Sequence, residues 1–452
     1  MGRHEPASPC ANPVLVPLLA SIRDPRLRAA QLSFVLAWIA EWAFTVAIGV
    51  VAYQDAGALG VGMVGLLRML PAAVVAPFVA PLADRVRRER FLVGIALART
   101  AAFAAIAGFV ATGTAAAVYV VAVVAAVAGT LFRPVHSALL PSLCGSAREL
   151  SAANVSRGLL DSVATFVGPL LATLLLGPAQ LPAVFGAAAA CSVLSGVALL
   201  RLRIPALVSR RPAADTRVGL GAVVRNRPLA LLFGLTAVQT ATRGAVSVLL
   251  VVVAIDLLRI GDAGVGLLTT AIGAGAVVGS LGASLLSGSA RLAVWFGVGT
   301  ALWGAPLVLV GAIPSVGTTL AMLACVGVGN ALVDVGLFTL PPRLVPDGVL
   351  ARAFTILESV IALSVGVGAV VAPLLIDVLG VRAALIVVGV VAPVVVVLSW
   401  ARLRALDSAM AERDQRIATL VGTRLDLPMT AIERIARELE GSVGAPAATI
   451  AS

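Results

Sequence analysis

Three acidic residues stand inside long apolar stretches of this sequence, where an ionised side chain is costly: Glu41, Asp334 and Glu358. In the middle of a bilayer a charge costs at least ~2.5–3.5 kcal/mol, and residues that bear one form ion pairs, substrate sites or proton relays. Because a carboxylate can hold or release a proton, we predict that these three residues take part in proton coupling.

Glu41 has the most informative surroundings. It lies about 12 residues into its apolar stretch, so at ~1.5 Å per residue it is ~18 Å deep. Trp38, Trp42 and Thr45 flank it at helical spacing, and aromatic rings attract lipophilic cations. We predict that these three residues line a substrate cavity. The alternative is a permanent ion pair between Glu41 and Arg68 of the next stretch, with the tryptophans engaged in packing.

Other charged and polar residues reach the membrane interior on later stretches. Arg133 and Asp161 fall at similar depth on neighbouring stretches, which predicts a structural ion pair or a latch that opens and closes. Gln239 and Arg243 are also predicted to line the cavity, where Arg243 would face an anionic substrate group or neutralise Glu41.

Asp334 and Glu358 occupy places that correspond to Arg133 and Asp161 in an internal repeat. Two carboxylates that approach each other repel, and one bound proton relieves the repulsion. The alternative is that Arg343 or Arg352 neutralises them from the adjacent turn. A further arginine, Arg99, is shallow enough to reach the membrane surface and is expected to be structural.

The elements that must position these residues are membrane-spanning helices. The chain has 452 residues, 60% of them hydrophobic and 12% charged, with a mean hydropathy of +1.06. No soluble core hides so much apolar surface. About twelve apolar stretches approach the ~20 residues that a helix needs to cross a bilayer. We therefore predict an all-α polytopic membrane protein.

The arginines indicate how the chain is oriented. They gather in alternate connections, with Arg259 and Arg382 as exceptions, so the positive-inside rule places both termini in the cytoplasm. The net charge of +11 is then directed at anionic lipid headgroups, not at nucleic acid. We interpret the exclusive use of arginine over lysine, with much Ala, Val and Gly, as the composition of a GC-rich bacterial genome. The expected location of the spans is therefore a bacterial inner (plasma) membrane.

The order of motifs around the fourth and fifth stretches returns around the tenth and eleventh, which indicates duplicated halves. Each copy has a glycine, a charged residue, a proline and a carboxylate: Gly129, Arg133, Pro141 and Asp161, then Gly329, Asp334, Pro341 and Glu358. We divide the chain into an N-terminal tail (1–26), a six-helix bundle (27–202), a linker (203–227), a second six-helix bundle (228–404) and a helical tail (405–452).

The connection after the second stretch carries a recognisable motif. Ala80-Pro-Leu-Ala-Asp84-Arg85-Val-Arg87-Arg88-Glu-Arg90 resembles the signature loop of the major facilitator superfamily, with Ala80 and Arg87 where the pattern has glycines. The resemblance implies twelve helices in two pseudo-symmetric bundles around a central cavity, lined mainly by helices 1, 4, 7 and 10. It also implies that Asp84, Arg85 and Arg88 form a latch between the halves, although the positive-inside rule alone would place arginines here.

Val167-Gly168-Pro169 resembles the Gly-Pro core of a motif found in exporters of that superfamily. The resemblance implies a proton-coupled antiporter that exports small lipophilic or amphiphilic compounds, such as drugs or siderophores. A proton-coupled importer and a non-transporting sensor that signals through its tail are the alternatives. With no lysine a nucleotide-binding Walker sequence is impossible, and neither an enzyme activity, a cofactor nor a metal is expected. The transporter is expected to be a monomer.

The tail from Leu427 to Ala448 resembles the opening helix of cyclic-nucleotide-binding domains. The β-roll and its phosphate-binding elements do not follow in the 452 residues, so no cyclic nucleotide is expected to bind. The alternative is an ordinary amphipathic tail helix with a chance similarity.

Overall fold

The computed structural model describes residues 24–85, 87–145, 147–176, 180–200, 202, 226–286, 289, 291–344 and 347–422, with the backbone alone for 70–85 and for a few shorter stretches. Within these ranges every long element is an α-helix and no strand occurs. The predicted tail 1–26 up to residue 23, most of the linker 203–227 and the nucleotide-domain-like segment 427–448 lie outside the described residues.

The first helical element, Pro25–Arg85, contains two membrane crossings. Its apolar part, Pro25–Met69, has 45 residues, or ~68 Å of helix against a hydrocarbon thickness of ~30 Å. The helix breaks at Ala56 and Gly57, where Gly57 has a φ of 60° that glycine adopts readily. We call the two arms α1 (residues 25–55) and α2 (58–85).

Ten further helices complete the bundle: α3 (Arg88–Ala111), α4 (Ala115–Leu139), α5 (Ala147–Leu176), α6 (Gln180–Leu200), α7 (Arg227–Val252), α8 (Gly261–Leu286), α9 (Leu292–Ala312), α10 (Val316–Leu344), α11 (Asp347–Leu379) and α12 (Val381–Gly422). By length and composition, 11 of the helices in the described ranges are apolar enough to cross a membrane, counting α1 and α2 as one. The chain is a multi-pass membrane protein, and the predicted twelve-helix fold is confirmed.

Helix packing in the first half, α1–α6, returns in the second half, α7–α12. Helix α3 packs against α4 and α6, as α9 packs against α10 and α12. Between the halves, α5 packs against α8 while α2 packs against α11. Adding six to each helix number converts one set of contacts into the other, so the two bundles are related by pseudo-symmetry, as predicted.

The two ends of the bundle differ in charge. We call one the acidic end, because α1, the α7–α8 connection and α8 bring Asp55, Asp256 and Asp262 there. We call the opposite end the arginine-rich end, where Arg28, Arg90 and Arg343 lie near helix termini. Successive helices alternate in direction, so each end of the bundle collects every second connection and its charges.

Helix α12 continues past the predicted bundle boundary at residue 404. It runs unbroken to Gly422, and its extension is fastened to two other helices at the arginine-rich end. Asp407 accepts hydrogen bonds from the backbone N–H groups of Ala293 (2.8 Å) and Val294 (3.0 Å) at the start of α9. Arg413 donates to the carbonyl oxygen of Arg343 on α10 at 2.8 Å. The first part of the tail is therefore joined to the second bundle.

Candidate functional site

Glu41 on α1 lies between two arginines in the interior of the first bundle. Nη2 of Arg68 on α2 donates to Oε1 at 2.8 Å, and Nη2 of Arg99 on α3 donates to Oε2 at 2.8 Å. The side chains of Arg68 and Arg99 are 9% and 1% exposed, against 21% for Glu41. Arg68 also donates to Oγ1 of Thr45 at 3.2 Å. The group, which we call the Glu41 cluster, carries one net positive charge.

The structure brings Arg68 to Glu41, as the ion-pair alternative expected, and adds a partner that the sequence did not suggest. The prediction that Arg99 reaches the membrane surface is wrong, because its side chain is buried and turned to Glu41. A glycine makes room for this arrangement: a Cβ atom at Gly129 of α4 would lie 3.0 Å from Oε2 of Glu41. The rings of Phe44 and Phe103 lie 4.7 and 5.3 Å from the two guanidinium carbons, in cation–π range.

The two tryptophans beside Glu41 have different surroundings. Trp38 is half-buried, and its ring stacks on Phe34 with 5.6 Å between centroids. The guanidinium carbon of Arg133 lies 5.4 Å from the Trp38 ring centroid. Trp42 instead packs where α1 crosses α5, since a Cβ atom at Gly168 would lie 2.6 Å from Cβ of Trp42. Trp38 thus faces Arg133 of α4, and Trp42 belongs to a helix contact.

Gly168 and Pro169 lie where α5 meets helices of both halves. Gly168 lets α1 approach closely, and a Cβ atom at Gly266 of α8 would lie 2.9 Å from the carbonyl oxygen of Pro169. The proline ring also leaves the helix without one backbone donor at this point. The Gly-Pro motif is therefore a packing element at the contact between the two halves.

A second group of charges contains residues from both halves. Arg133 on α4 and Asp161 on α5 come within 3.6 Å, and both interact electrostatically with Asp334 on α10 and with Arg243 on α7. Glu358 on α11 also interacts with Arg133 and Arg243. These five residues, which we call the central cluster, come from five helices.

Several side chains of the central cluster are accessible, although all five residues lie on helices of the bundle. Arg243 and Glu358 are exposed, and the Arg133 side chain is 42% exposed although it lies within a helix of the bundle. Asp334 is half-buried and accepts a 2.9 Å hydrogen bond from Nδ2 of Asn330, one turn earlier. Arg133 and Arg243, from the helix interiors, act on the two acids that were predicted to repel each other.

Two residues predicted from sequence, Gln239 and Arg88, take positions away from the central cluster. Gln239 is 3% exposed and lies among buried side chains of α7. Arg88 donates to the carbonyl oxygen of Ala138 at 2.6 Å, which joins α3 to α4 inside the first half. The side chains of Asp84 and Arg85 lie outside the described residues, as does that of Arg352, so the latch stays a prediction.

The acidic end is closed by contacts between the halves. Tyr53 of α1 donates to Oδ2 of Asp256 after α7, and Gln54 donates to Oδ2 of Asp262 on α8 at 2.7 Å. Tyr119 makes a similar bond to Asp55 at 2.8 Å, but within the first half. Two hydrogen bonds therefore join α1 to the second half at the acidic end.

Sequence reasoning missed Arg157, which lies beside the central cluster, and the partner of Arg99. Arg157 interacts electrostatically with Asp161 and Arg133, and its position one turn before Asp161 on α5 was a readable signal. Arg99 gave no such signal, because its partner lies on another helix. In the described ranges, no three His, Cys, Asp or Glu side chains lie together as metal ligands.

Comparisons with known proteins agree with this architecture. Residues 32–348 match the family model of the Major Facilitator Superfamily. Macrolide efflux protein A of Streptococcus pyogenes is 23% identical over 343 residues, which cover 73% of this chain and 84% of that protein.

Solved structures share the fold at low sequence identity. A POT family transporter in complex with a thioalcohol-conjugated peptide has a TM-score of 0.67 and 13% identity, over 84% of this chain and 96% of that one. The human organic anion transporter MFSD10 has a TM-score of 0.61 and 15% identity, over 83% of this chain and 100% of that one. The chain is a member of the major facilitator superfamily, a family of membrane transporters.

Proposed function

We propose that this protein is a proton-coupled exporter of small lipophilic or amphiphilic compounds in a bacterial plasma membrane, with both termini in the cytoplasm. The arginine-rich end then faces the cytoplasm, in keeping with the positive-inside rule. The contacts that close the acidic end leave the central cluster accessible from the cytoplasm, where an exporter collects its substrate. The similarity to a macrolide efflux protein supports export of an amphiphilic compound.

The observation that carries proton coupling is the electrostatic interaction of Asp334 with Asp161 and Arg133 of the other half. Alternating access moves the halves against each other, which changes the distances between these charges. The free energy of protonating Asp334 changes with those distances, since each charge acts on the carboxylate through Coulomb's law. A proton taken up in one state is then released in the other.

Among the predicted coupling residues, the geometry favours Asp334 over Glu41. A proton on Glu41 would leave Arg68 and Arg99, both buried, beside a neutral acid, and an uncompensated buried charge is costly. Asp334 is half-buried and has charges of both signs around it. We assign Glu41 a role in holding α1, α2 and α3 together, and Glu358 an auxiliary role in setting the field at Arg133 and Arg243.

Uptake into inside-out vesicles with an acidic interior tests the proposal. Wild type, Asp334→Asn and the control Asp377→Asn, an exposed acid at the acidic end of α11, are compared with a macrolide and a panel of lipophilic cations. We expect gradient-dependent uptake by wild type and Asp377→Asn, and its loss in Asp334→Asn with substrate exchange retained. Uptake that persists when an uncoupler removes the gradient would refute proton coupling. Gradient-driven movement in the opposite direction would establish an importer, and no flux by folded protein would favour the sensor.

A further inference from the structure

The aromatic ring of Trp38 in the first bundle already lies against a cation of the protein itself, the guanidinium group of Arg133. The guanidinium carbon of Arg133 lies 5.4 Å from the Trp38 ring centroid, within cation–π range. Trp38 stacks on Phe34 with an interplanar angle of 13°, and the Phe34 ring lies 5.0 Å from that of the buried His136. The three rings form a platform at the level of the central cluster.

The arginine on this platform is loosely held. Its closest approach to Asp161 is 3.6 Å, longer than the ~2.7–2.9 Å of a charge-assisted hydrogen bond. Oδ1 of Asp161 is buried and has no hydrogen-bond partner in the described part of the chain. The Arg133 side chain is 42% exposed, whereas Arg99, which is bonded to Glu41 at 2.8 Å, is 1% exposed. Arg133 therefore has room to move and an incompletely bonded acid to move to.

We propose that Arg133 is a resident cation that a positively charged substrate replaces on the Trp38 platform. This inference rests on the proposed export function and names its substrate class: amphiphiles that carry a protonated amine or a quaternary ammonium group. The ammonium group of such a compound takes the face of Trp38, and its apolar part lies along the half-buried surfaces of α1 and α4. Arg133 then turns to Oδ1 of Asp161.

The exchange connects substrate binding to the proposed proton site. Arg133, Arg157 and Arg243 balance the charges of Asp161, Asp334 and Glu358 when all six are ionised. A substrate cation and a proton on Asp334 each add one positive charge to this group. Each therefore disfavours the other, and movement of Arg133 changes the field that Asp334 experiences.

Equilibrium binding to the purified full chain in lipid nanodiscs tests the exchange. The probe is tetraphenylphosphonium, and a neutral amphiphile of similar size serves as the control ligand. Arg133→Gln removes the competing cation, so we expect its Kd for the phosphonium ion to fall about 2- to 30-fold and its Kd for the neutral compound to stay unchanged. The gain in phosphonium affinity should disappear in the double variant Trp38→Leu and Arg133→Gln. Arg133→Lys keeps a cation and should restore part of the competition for Trp38. Arg259→Gln, an exposed arginine near the acidic end, should bind as wild type does.

Two results of this measurement would overturn the inference. Weaker or unchanged phosphonium binding by monodisperse Arg133→Gln would overturn the inference, as would a gain that survives the loss of Trp38. The measurement uses no gradient, so it does not depend on proton coupling. Gradient-driven export without the shift in Kd would refute the resident cation alone, and the shift in Kd without gradient-driven export would refute the proposed coupling alone.

Discussion

Arg99 donates a 2.8 Å hydrogen bond to Glu41 from a side chain that is only 1% exposed. Arg68 donates to the other carboxylate oxygen, so one acid serves two arginines in the interior of the first bundle. The removal of either arginine leaves a neutral pair, whereas the removal of the acid leaves two positive charges that repel each other. The Glu41 cluster should thus tolerate the loss of either arginine better than the loss of the acid.

Glu41→Gln should therefore destabilise the protein more than Arg99→Met does. Breaking a buried ion pair by removing one partner costs about 3–5 kcal/mol, and Glu41→Gln strands both arginines. Arg99→Met keeps the Glu41–Arg68 pair and replaces a long side chain by an apolar one of similar reach. Thermal unfolding of the purified proteins in one detergent measures the order of Tm. An equal or lower Tm for Arg99→Met would contradict the charge argument.

Depth along a helix could be predicted from the sequence, and lateral position could not. A rise of ~1.5 Å per residue places Glu41 level with Arg68, and Arg133 level with Asp161, once the spans are known. The structure brings both pairs together. Which helix faces which depends on packing between distant segments, so the sequence did not allow the partner of Arg99 to be predicted. The end of α12 was also missed, because hydrophilicity rises after Arg404 but no glycine or proline ends the helix before Gly422.

The bond between Tyr53 and Asp256 should stabilise the state in which the acidic end is closed, because it joins α1 to the second half. Tyr53→Phe removes the donor and is expected to shift the population toward the state open at that end. The distance between spin labels at the exposed positions Ala111 and Ile313, in a chain whose four cysteines are replaced, measures the shift.

Tyr119→Phe is the matched control for this experiment. Tyr119→Phe loses the same phenolic hydroxyl group, but the bond from Tyr119 to Asp55 lies within the first half. We expect longer label distances to gain population in Tyr53→Phe and not in Tyr119→Phe. The same distribution in both variants would show that the bond to Asp256 does not hold the acidic end closed.

Asp407 should contribute to stability by capping α9 from a distance. Its carboxylate accepts bonds from the N–H groups of Ala293 and Val294, which have no partner inside their own helix. Asp407→Ala is expected to cost about 0.5–2 kcal/mol, the usual range for a lost N-cap. Asp414→Ala, at an exposed position further along α12, is the control. A Tm for Asp407→Ala equal to that of the control would show that the extension of α12 does not stabilise the bundle.

Gly168 should be intolerant of a single added methyl group, unlike another glycine of the same helix. A Cβ atom at Gly168 would lie 2.6 Å from Cβ of Trp42 and 2.8 Å from the carbonyl oxygen of Ile39, so α1 and α5 would have to separate. Overpacking of this kind typically costs ~1–3 kcal/mol. At Gly158 nothing lies within 4 Å of the added atom, and alanine there gains helix stability of ~0.5–1 kcal/mol. Gly168→Ala should therefore lower Tm and reduce substrate flux while Gly158→Ala leaves flux intact and raises Tm slightly. If Gly168→Ala matched Gly158→Ala in both measurements, the Gly-Pro motif would need an explanation other than the close approach of α1.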